Sequence, residues 1–189
     1  MNEALKRIVI DIKDIQKSPI ENIYYVPDED NIMNGYGLII GPPNTPYEYG
    51  NYLFKFQFSE KYPYEPPKVI YKTNDGITRF NPNFYRSGKV CLSILNTWTG
   101  EQWSACQTIR SVLLTLQTTM NDMPLVNEPG VDEKLHLNSI IRYNKIIQYK
   151  NLEFTILHYL NNIDKIPIQN SDIIEAIIKN YEQTKEKIL

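Results

Sequence analysis

The sequence of 189 residues has few of the side chains on which many enzyme mechanisms depend, since it contains two histidines and two cysteines. No apolar run approaches the roughly twenty residues that a membrane-spanning helix needs, and the amino terminus is amphipathic, unlike a cleavable signal. The net charge of -2 supplies no basic field for nucleic acid or an anionic membrane. We therefore expect neither a membrane protein nor a nucleic-acid-binding protein.

The rest of the composition is that of an ordinary globular protein. Hydrophobic residues make up 42% and charged residues 22% of the chain, which is long enough to bury a core. The sequence contains no internal repeat and no low-complexity segment. We predict a main domain over 1–162, followed by a helical extension over 163–189.

The hydrophobic pattern predicts an α+β fold. An opening helix carries apolar residues at helical spacing from Leu5 to Ile15 and stops at Ser18-Pro19. β-rich runs punctuated by Gly, Pro and Asn then indicate a four-stranded antiparallel meander, and helical patterns follow. The proline-rich segment 62–67 should leave the sheet as a rigid loop, in which a cis Pro66-Pro67 bond is possible. The expected strands are 23–26, 36–40, 53–58 and 69–71, and the expected later helices are 109–120, about 139–160 and about 173–181.

The carboxyl-terminal stretch is amphipathic and follows a break at Pro167. Amphipathicity alone does not decide between docking on the rest of the protein and recruitment of a partner. Because an exposed apolar stripe would promote aggregation, we expect intramolecular docking. The apolar face consists of Ile173, Ile174, Ile177 and Ile178.

A cysteine and a side-chain amide are expected to lie close together in the middle of the chain. The stretch 81–95 is a buried-strand pattern broken by turn residues, which would hold the thiol of Cys91 beside the amide of Asn83. A thiol can carry an acyl group as a thioester, and an amide can donate a hydrogen bond to the oxyanion that forms when an amine attacks. A packing role is the alternative, because free cysteines are among the most buried residues.

A hydrolytic mechanism is not expected at this thiol. A cysteine hydrolase needs a histidine to accept the thiol proton, whereas His136 and His158 lie far downstream in sequence with helical patterns. Two cysteines, at least one of them needed as a thiol, also indicate a reducing compartment. We therefore expect a cytoplasmic or nuclear location.

Four motifs follow one another along the chain. They are Gly41-Pro42-Pro43-Asn44-Thr45-Pro46-Tyr47-Glu48-Tyr49-Gly50, Tyr62-Pro63-Tyr64-Glu65-Pro66-Pro67-Lys68-Val69, the pair Asn81-Pro82-Asn83 and Gly88-Lys89-Val90-Cys91-Leu92, and Trp103-Ser104. In this order, and over about residues 1 to 160, they resemble the signatures of the ubiquitin-conjugating enzyme family. Phe-Asn-Pro-Asn and a Trp-Thr-Gly insertion between Leu95 and Trp103 place the resemblance in a subgroup of that family.

The resemblance implies a ubiquitin-conjugating-enzyme-like fold and an acyl-transfer activity. In the family, an activating enzyme that itself uses ATP passes the carboxyl-terminal glycine of ubiquitin or a ubiquitin-like modifier to the cysteine, here Cys91. A lysine then attacks the thioester to form an isopeptide bond, with or through a RING-type or HECT-type ligase, and no metal or other cofactor takes part. A catalytically silent member that only binds ubiquitin or scaffolds a ligase is the alternative, although such members lack the cysteine.

The resemblance also assigns residues around the thiol. Asn81 stands where the family has a histidine thought to organise the loop through hydrogen bonds, which an asparagine can also make. Asp122 is the candidate for the acidic residue that gates the cysteine, with a solvated Asp at a helix end as the alternative. Cys106 lies where a ligase would touch, and we expect no chemical role for it. Trp98 fits a lid over the core or a partner contact equally well.

Further residues match positions that meet partner proteins in the family. Tyr64 in the proline loop and Ser104 after the tryptophan match positions that meet RING-type or HECT-type ligases. Lys6, Arg7 and Lys13 on the opening helix could meet an acidic surface of the activating enzyme.

Overall fold

The computed structural model describes residues 2–166 and 170–188 and confirms the α+β prediction. One helix precedes a four-stranded antiparallel sheet whose strands lie side by side in chain order, and the other helices follow. Helix α1 spans Glu3–Lys17, and strands β1 to β4 span Ile23–Pro27, Asn34–Ile40, Asn51–Gln57 and Lys68–Tyr71. Then come α2 over Ile109–Thr119, α3 over Leu137–Lys150, a π-helical segment over Asn151–His158, the short α4 over Tyr159–Asn161 and α5 over Ser171–Ile188. None of the helices in this described part is long and apolar enough to cross a membrane.

Helix α1 forms where apolar residues recur every three or four positions. The Asn2 side chain caps its first turn, since Asn2 Oδ1 accepts a hydrogen bond from the Leu5 N–H at 3.3 Å. The helix ends directly before Ser18-Pro19, as predicted. One carboxylate, Asp11, lies on its otherwise apolar buried face, which comprises Ala4, Ile8, Asp11, Ile12 and Ile15.

The sheet has a hydrophobic core on each face, because successive side chains of a strand point to opposite sides. On one face, Phe54 of β3 and its alternate neighbours belong to the larger core, together with the buried faces of α1 and α2. Helix α2 approaches this face so closely that a Cβ on Gly37 would lie 2.6 Å from Leu113 Cδ2. On the other face, the register partners Leu38 and Leu53 belong to a second core.

The helix predicted over about 139–160 is present, but its second half is π-helical. A π-helix bonds residue i to residue i+5, so residues four or five apart lie near one face. Polar contacts hold that face to the sheet: the Tyr52 hydroxyl donates to Asn151 Oδ1, and the Tyr159 hydroxyl lies 2.7 Å from Thr73 Oγ1. The apolar pattern predicts a helix here but not its π-helical form, because the polar contacts of Asn151 and Tyr159 leave no hydrophobic signal in the sequence.

Helix α5 packs on the second core, which confirms the prediction of intramolecular docking. Ile173 and Ile177 are fully buried against the sheet residues of that core. A polar contact adds to this packing, because Asn180 Nδ2 donates to the Tyr49 carbonyl at 2.8 Å. The carboxyl-terminal helix therefore covers a sheet face that would otherwise be apolar and open.

Two predicted details differ from the structure. The sequence predicts Ile178 on the docked face, but its side chain is 44% exposed. It directly follows the buried Ile177, and consecutive side chains of a helix point in different directions. Among the described residues, the cis peptide bond lies at Tyr62–Pro63 instead of at Pro66-Pro67. The isomer depends on packing in the folded loop, which the sequence does not show. Pro167 lies outside the described residues, and the boundary between 1–162 and 163–189 stays a prediction.

Replacement of Ile177 by Ala should lower the free energy of unfolding by about 2–5 kcal/mol, because it leaves a cavity in the second core. Ile178→Ala is the matched control and should change the same free energy by about 0.5 kcal/mol or less. Urea unfolding followed by circular dichroism measures both. Equal effects of the two substitutions would show that α5 does not dock through Ile177.

Candidate active site

The Cys91 stretch, residues 81–92, is held by isolated backbone pairings and not by a regular strand. Phe84 pairs with Val90, and Lys89 pairs with Ile70 at the edge of β4. The chain thereby turns back on itself beside the sheet. Residues that are eight positions apart in the sequence become neighbours.

Two hydrogen bonds join Cys91 and Asn83. The Cys91 N–H donates to the Asn83 carbonyl at 2.9 Å, and Asn83 Nδ2 donates to the Cys91 carbonyl at 2.8 Å. Cys91 is 3% exposed and is a free cysteine. The structure thus brings together the thiol-bearing residue and the side-chain amide, with the amide bound to the backbone of Cys91.

Asn81 holds the Cys91 stretch from the inside. This fully buried side chain donates through Nδ2 to the Tyr47 hydroxyl at 2.9 Å and to the Thr119 carbonyl at 2.8 Å. Its Oδ1 accepts from the Asn83 N–H at 2.8 Å. Burial raises the pKa of the Tyr47 phenol well above its ordinary value, so the hydroxyl stays neutral and donates to the Phe80 carbonyl at 2.9 Å. An asparagine therefore makes the loop-organising contacts at the position where the family has a histidine.

Thr97 holds the stretch from the other side and was not predicted. Its hydroxyl accepts from the Leu92 N–H at 3.0 Å and donates to the Val90 carbonyl at 2.9 Å. These two bonds flank Cys91, because they involve the residues before and after it. The only signal in the sequence was a hydroxyl residue directly before Trp98-Thr99-Gly100, in the segment between Leu95 and Trp103.

Arg7 is engaged within the protein, whereas the prediction placed it on a surface for an activating enzyme. Its three donor nitrogens bind the Ala105 carbonyl at 2.8 Å, the Gln107 carbonyl at 2.5 Å and the Asp11 carboxylate at 2.8 Å. The guanidinium connects α1 to the segment before α2, and the buried carboxylate compensates its charge. The carboxylate four positions later on the same helix was the signal for this structural role.

Asp11 also joins α1 to the proline loop and to α2. Its carboxylate accepts a short hydrogen bond from the Tyr62 hydroxyl and a longer one from the Ile109 N–H at 3.2 Å. Burial, together with this bond to Asp11, raises the pKa of Tyr62 well above its ordinary value. The proline loop is also bound through Trp103, whose Nε1 donates to the Pro63 carbonyl at 2.7 Å.

The other residues predicted to meet partner proteins are exposed. Lys6 and Lys13 lie on the solvent side of α1, and Ser104 lies in the segment before α2. Tyr64 is 67% exposed, and its hydroxyl donates to Glu3 Oε1 at 2.8 Å. This bond connects the proline loop to the start of α1, so these surfaces adjoin.

Three further candidates have fewer contacts. Asp122 is exposed, and its backbone carbonyl accepts from Asn144 Nδ2 at 2.6 Å. No hydrogen bond or ion pair within 2–166 and 170–188 joins its carboxylate to the Cys91 stretch, so the gating role stays a prediction. Trp98 is 39% exposed, which leaves both of its interpretations open, and Cys106 is an exposed free thiol.

Both histidines have contacts of their own. His136 Nδ1 lies 3.0 Å from the Asp132 N, and the His158 ring stacks on Phe154 with centroids 4.8 Å apart. The part of the chain that the structure describes contains no group of three or more His, Cys, Asp or Glu side chains that could hold a metal ion.

Comparison with known proteins assigns the chain to one class. The family model described as "Ubiquitin-conjugating enzyme" matches residues 7–139, which include most of α1, the whole sheet and the Cys91 stretch. The chain belongs to the ubiquitin-conjugating enzyme family, and the resemblance found in its motifs is confirmed.

Similar proteins include ubiquitin-conjugating enzyme E2 Z of Xenopus tropicalis, 38% identical over 188 residues, which are 99% of this chain and 60% of that protein. The E2 Z protein of Homo sapiens is 43% identical over 180 residues, which are 95% of this chain and 51% of that protein. Ubiquitin-conjugating enzyme E2 2 of Candida albicans is 34% identical over 134 residues, which are 71% of this chain and 70% of that protein. The chain thus spans between 51% and 60% of the length of these two E2 Z proteins.

Replacement of Asn81 by Ala should lower the free energy of unfolding by about 1–3 kcal/mol or more, because it removes the hydrogen bonds that this fully buried side chain makes to Tyr47, Thr119 and Asn83. Asn138→Ala, at an exposed position of α3, is the control and should have an effect of about 0.5 kcal/mol or less. Chemical unfolding measures both. A stable Asn81→Ala protein would mean that the network around Asn81 does not hold the stretch.

Proposed function

We propose that this chain is the catalytic domain of a ubiquitin-conjugating enzyme. It accepts ubiquitin or a ubiquitin-like modifier as a thioester on Cys91 and transfers the modifier to a lysine. The observation that carries the proposal is the pair of hydrogen bonds between Cys91 and Asn83 in a chain of this family. It supports a thiol that carries the acyl group beside an amide that can act on the acyl oxygen.

In the first half-reaction, the Cys91 thiolate attacks the thioester that the activating enzyme forms with the modifier, and the thiolate of the activating enzyme leaves. ATP is consumed by the activating enzyme. The positive charges of Lys6 and Lys13 on α1 favour contact with an acidic surface of that enzyme. Arg7 is not assigned this role, because its charge is compensated by Asp11.

In the second half-reaction, a lysine amine attacks the carbonyl of the Cys91 thioester. The tetrahedral oxyanion collapses with loss of the Cys91 thiolate, the nitrogen gives up one proton to solvent, and an isopeptide bond remains. We assign Asn83 Nδ2 as the donor to that oxyanion. In the free protein this donor binds the Cys91 carbonyl, while Asn83 Oδ1 has no hydrogen-bond partner in the part of the chain that the structure describes. When the Asn83 amide turns toward the oxyanion, it therefore gives up one hydrogen bond, the one to the Cys91 carbonyl.

We propose that a RING-type or HECT-type ligase docks on the surface formed by the proline loop and the segment before α2. Tyr64 and Ser104 are exposed on these two segments. The bond between Trp103 and the Pro63 carbonyl connects the segments, which favours a rigid platform for a partner.

Cys91→Ser should form an oxyester that is more durable than the thioester, whereas Cys106→Ser should charge like the wild type. The test is incubation with ATP, a panel of activating enzymes, and ubiquitin or its relatives, followed by non-reducing gels. Such a panel also identifies the modifier. A thiol-sensitive adduct that survives Cys91→Ala and disappears with Cys106→Ser would show that Cys106, and not Cys91, carries the modifier.

Asn83→Ala should spare charging, because the activating enzyme supplies much of the catalytic apparatus for that step. It should slow transfer to lysine by roughly a hundredfold or more, since loss of one oxyanion donor typically costs about 2.7–4 kcal/mol. Single-turnover decay of preformed thioester with excess free lysine measures the rate. Transfer at the wild-type rate would refute the role of Asn83, and an equal loss in Asn81→Ala would indicate that the amide mainly braces the loop.

A further inference from the structure

The peptide group between Pro82 and Asn83 is bound on both of its sides. Its N–H, from Asn83, donates to Asn81 Oδ1 at 2.8 Å, and its carbonyl, from Pro82, accepts from Arg79 Nη2 at 2.5 Å. The carbonyl and the N–H belong to one planar group and point in opposite directions. Two bonds on opposite sides therefore fix the rotation of the plane, and with it the direction in which the Asn83 side chain leaves the backbone.

Arg79 is itself held in one orientation. Its Nη2 lies 3.1 Å from Glu128 Oε2, and its guanidinium lies over the Tyr85 ring, 4.3 Å from the centroid. Its backbone carbonyl accepts from the Tyr143 hydroxyl at 2.8 Å. A planar guanidinium can stack on a ring while its N–H groups pair with a carboxylate and bind a carbonyl, whereas a lysine ammonium is not planar and cannot stack in this way.

The hydrogen bonding of Arg79 is incomplete. Among the residues that the structure describes, Arg79 Nε is buried and has no hydrogen-bond partner. A buried donor without a partner is destabilising, so the contacts of this guanidinium are made at a cost. Its bond to the Pro82 carbonyl, next to Asn83, offers an explanation in terms of function.

We propose that Arg79 is a positioning residue for transfer of the modifier from Cys91 to lysine, acting through Asn83. It holds the peptide between Pro82 and Asn83 so that the Asn83 amide reaches the oxyanion, and Glu128 and Tyr85 orient its guanidinium. The proposal rests on the proposed function, because it presumes the Cys91 thioester. Arg79 itself takes no part in proton transfer or bond formation.

The first experiment uses Arg79→Lys, which keeps the positive charge and removes the planar fork. A misplacement of about 1 Å at a reacting group can cost about a hundredfold in rate. We therefore expect the single-turnover rate constant for transfer at saturating free lysine to fall by about tenfold or more. The KM for lysine and the charging rate should stay within about twofold. Arg142→Lys, at an exposed position of α3, should behave like the wild type. Transfer by Arg79→Lys at the wild-type rate overturns the proposal.

A double substitution tests whether Arg79 acts through Asn83. If it does, adding Arg79→Lys to Asn83→Ala should slow transfer by less than about twofold further, because the group that it positions is already missing. If the two single effects multiply in the double variant, Arg79 acts independently of Asn83 and the proposal is wrong. Melting temperatures of all variants show whether a loss comes from unfolding.

Hydrogen exchange provides a readout that needs no modifier. The Asn83 backbone amide should exchange faster in Arg79→Lys than in the wild type, as followed by NMR, because the peptide group is then held on one side only. Unchanged exchange at Asn83 overturns the proposal. A wild-type chain that forms no thioester would instead refute the proposed function, and the exchange measurement would still decide whether Arg79 holds this peptide.

Discussion

The hydrogen bond from the Cys91 N–H to the Asn83 carbonyl is the contact on which the site depends, because it closes the turn between the thiol and the amide. The turn requires a backbone that reverses within a few residues, and Gly88, with φ of 85°, supplies it. The Gly88 carbonyl also accepts from the Tyr71 N–H at 2.8 Å. The residue that permits the turn therefore also binds it to the edge of β4, so that the sheet fixes the position of the thiol.

Buried polar groups connect the elements around this site. Asp11 joins α1 to Tyr62 in the proline loop and to Ile109 at the start of α2, and Arg7 extends the connection to the segment between them. A buried carboxylate is stable only with such partners. The surfaces proposed for an activating enzyme and for a ligase therefore share one polar anchor, which favours a platform that moves as a unit.

Much of this organisation was predictable from the sequence, because hydrophobic periodicity and turn residues are local signals. The four strands, α2 and the docked α5 follow from them, and the order of the motifs identifies the stretch around Cys91 and Asn83. Contacts between polar residues that are distant in the sequence leave no such pattern. From the sequence, Arg7 is expected to be an exposed cation, because the Gln107 carbonyl that it binds is 100 positions away. The same holds for Arg79 and for the polar face of the π-helical segment.

The network around Asn81 depends on the chemistry of an amide. Its side chain donates twice, to Tyr47 and to Thr119, and accepts once, from the Asn83 N–H. A neutral imidazole has one donor and one acceptor, and a charged imidazole has two donors and no acceptor, so neither form can make all three bonds. The Thr119 carbonyl has a second donor in Asn127 Nδ2 at 3.0 Å, so it could lose a bond without being left unpaired. The Asn83 N–H has no second acceptor among the contacts described. The acceptor oxygen of Asn81 therefore fixes the peptide group that leads to Asn83, the proposed oxyanion donor.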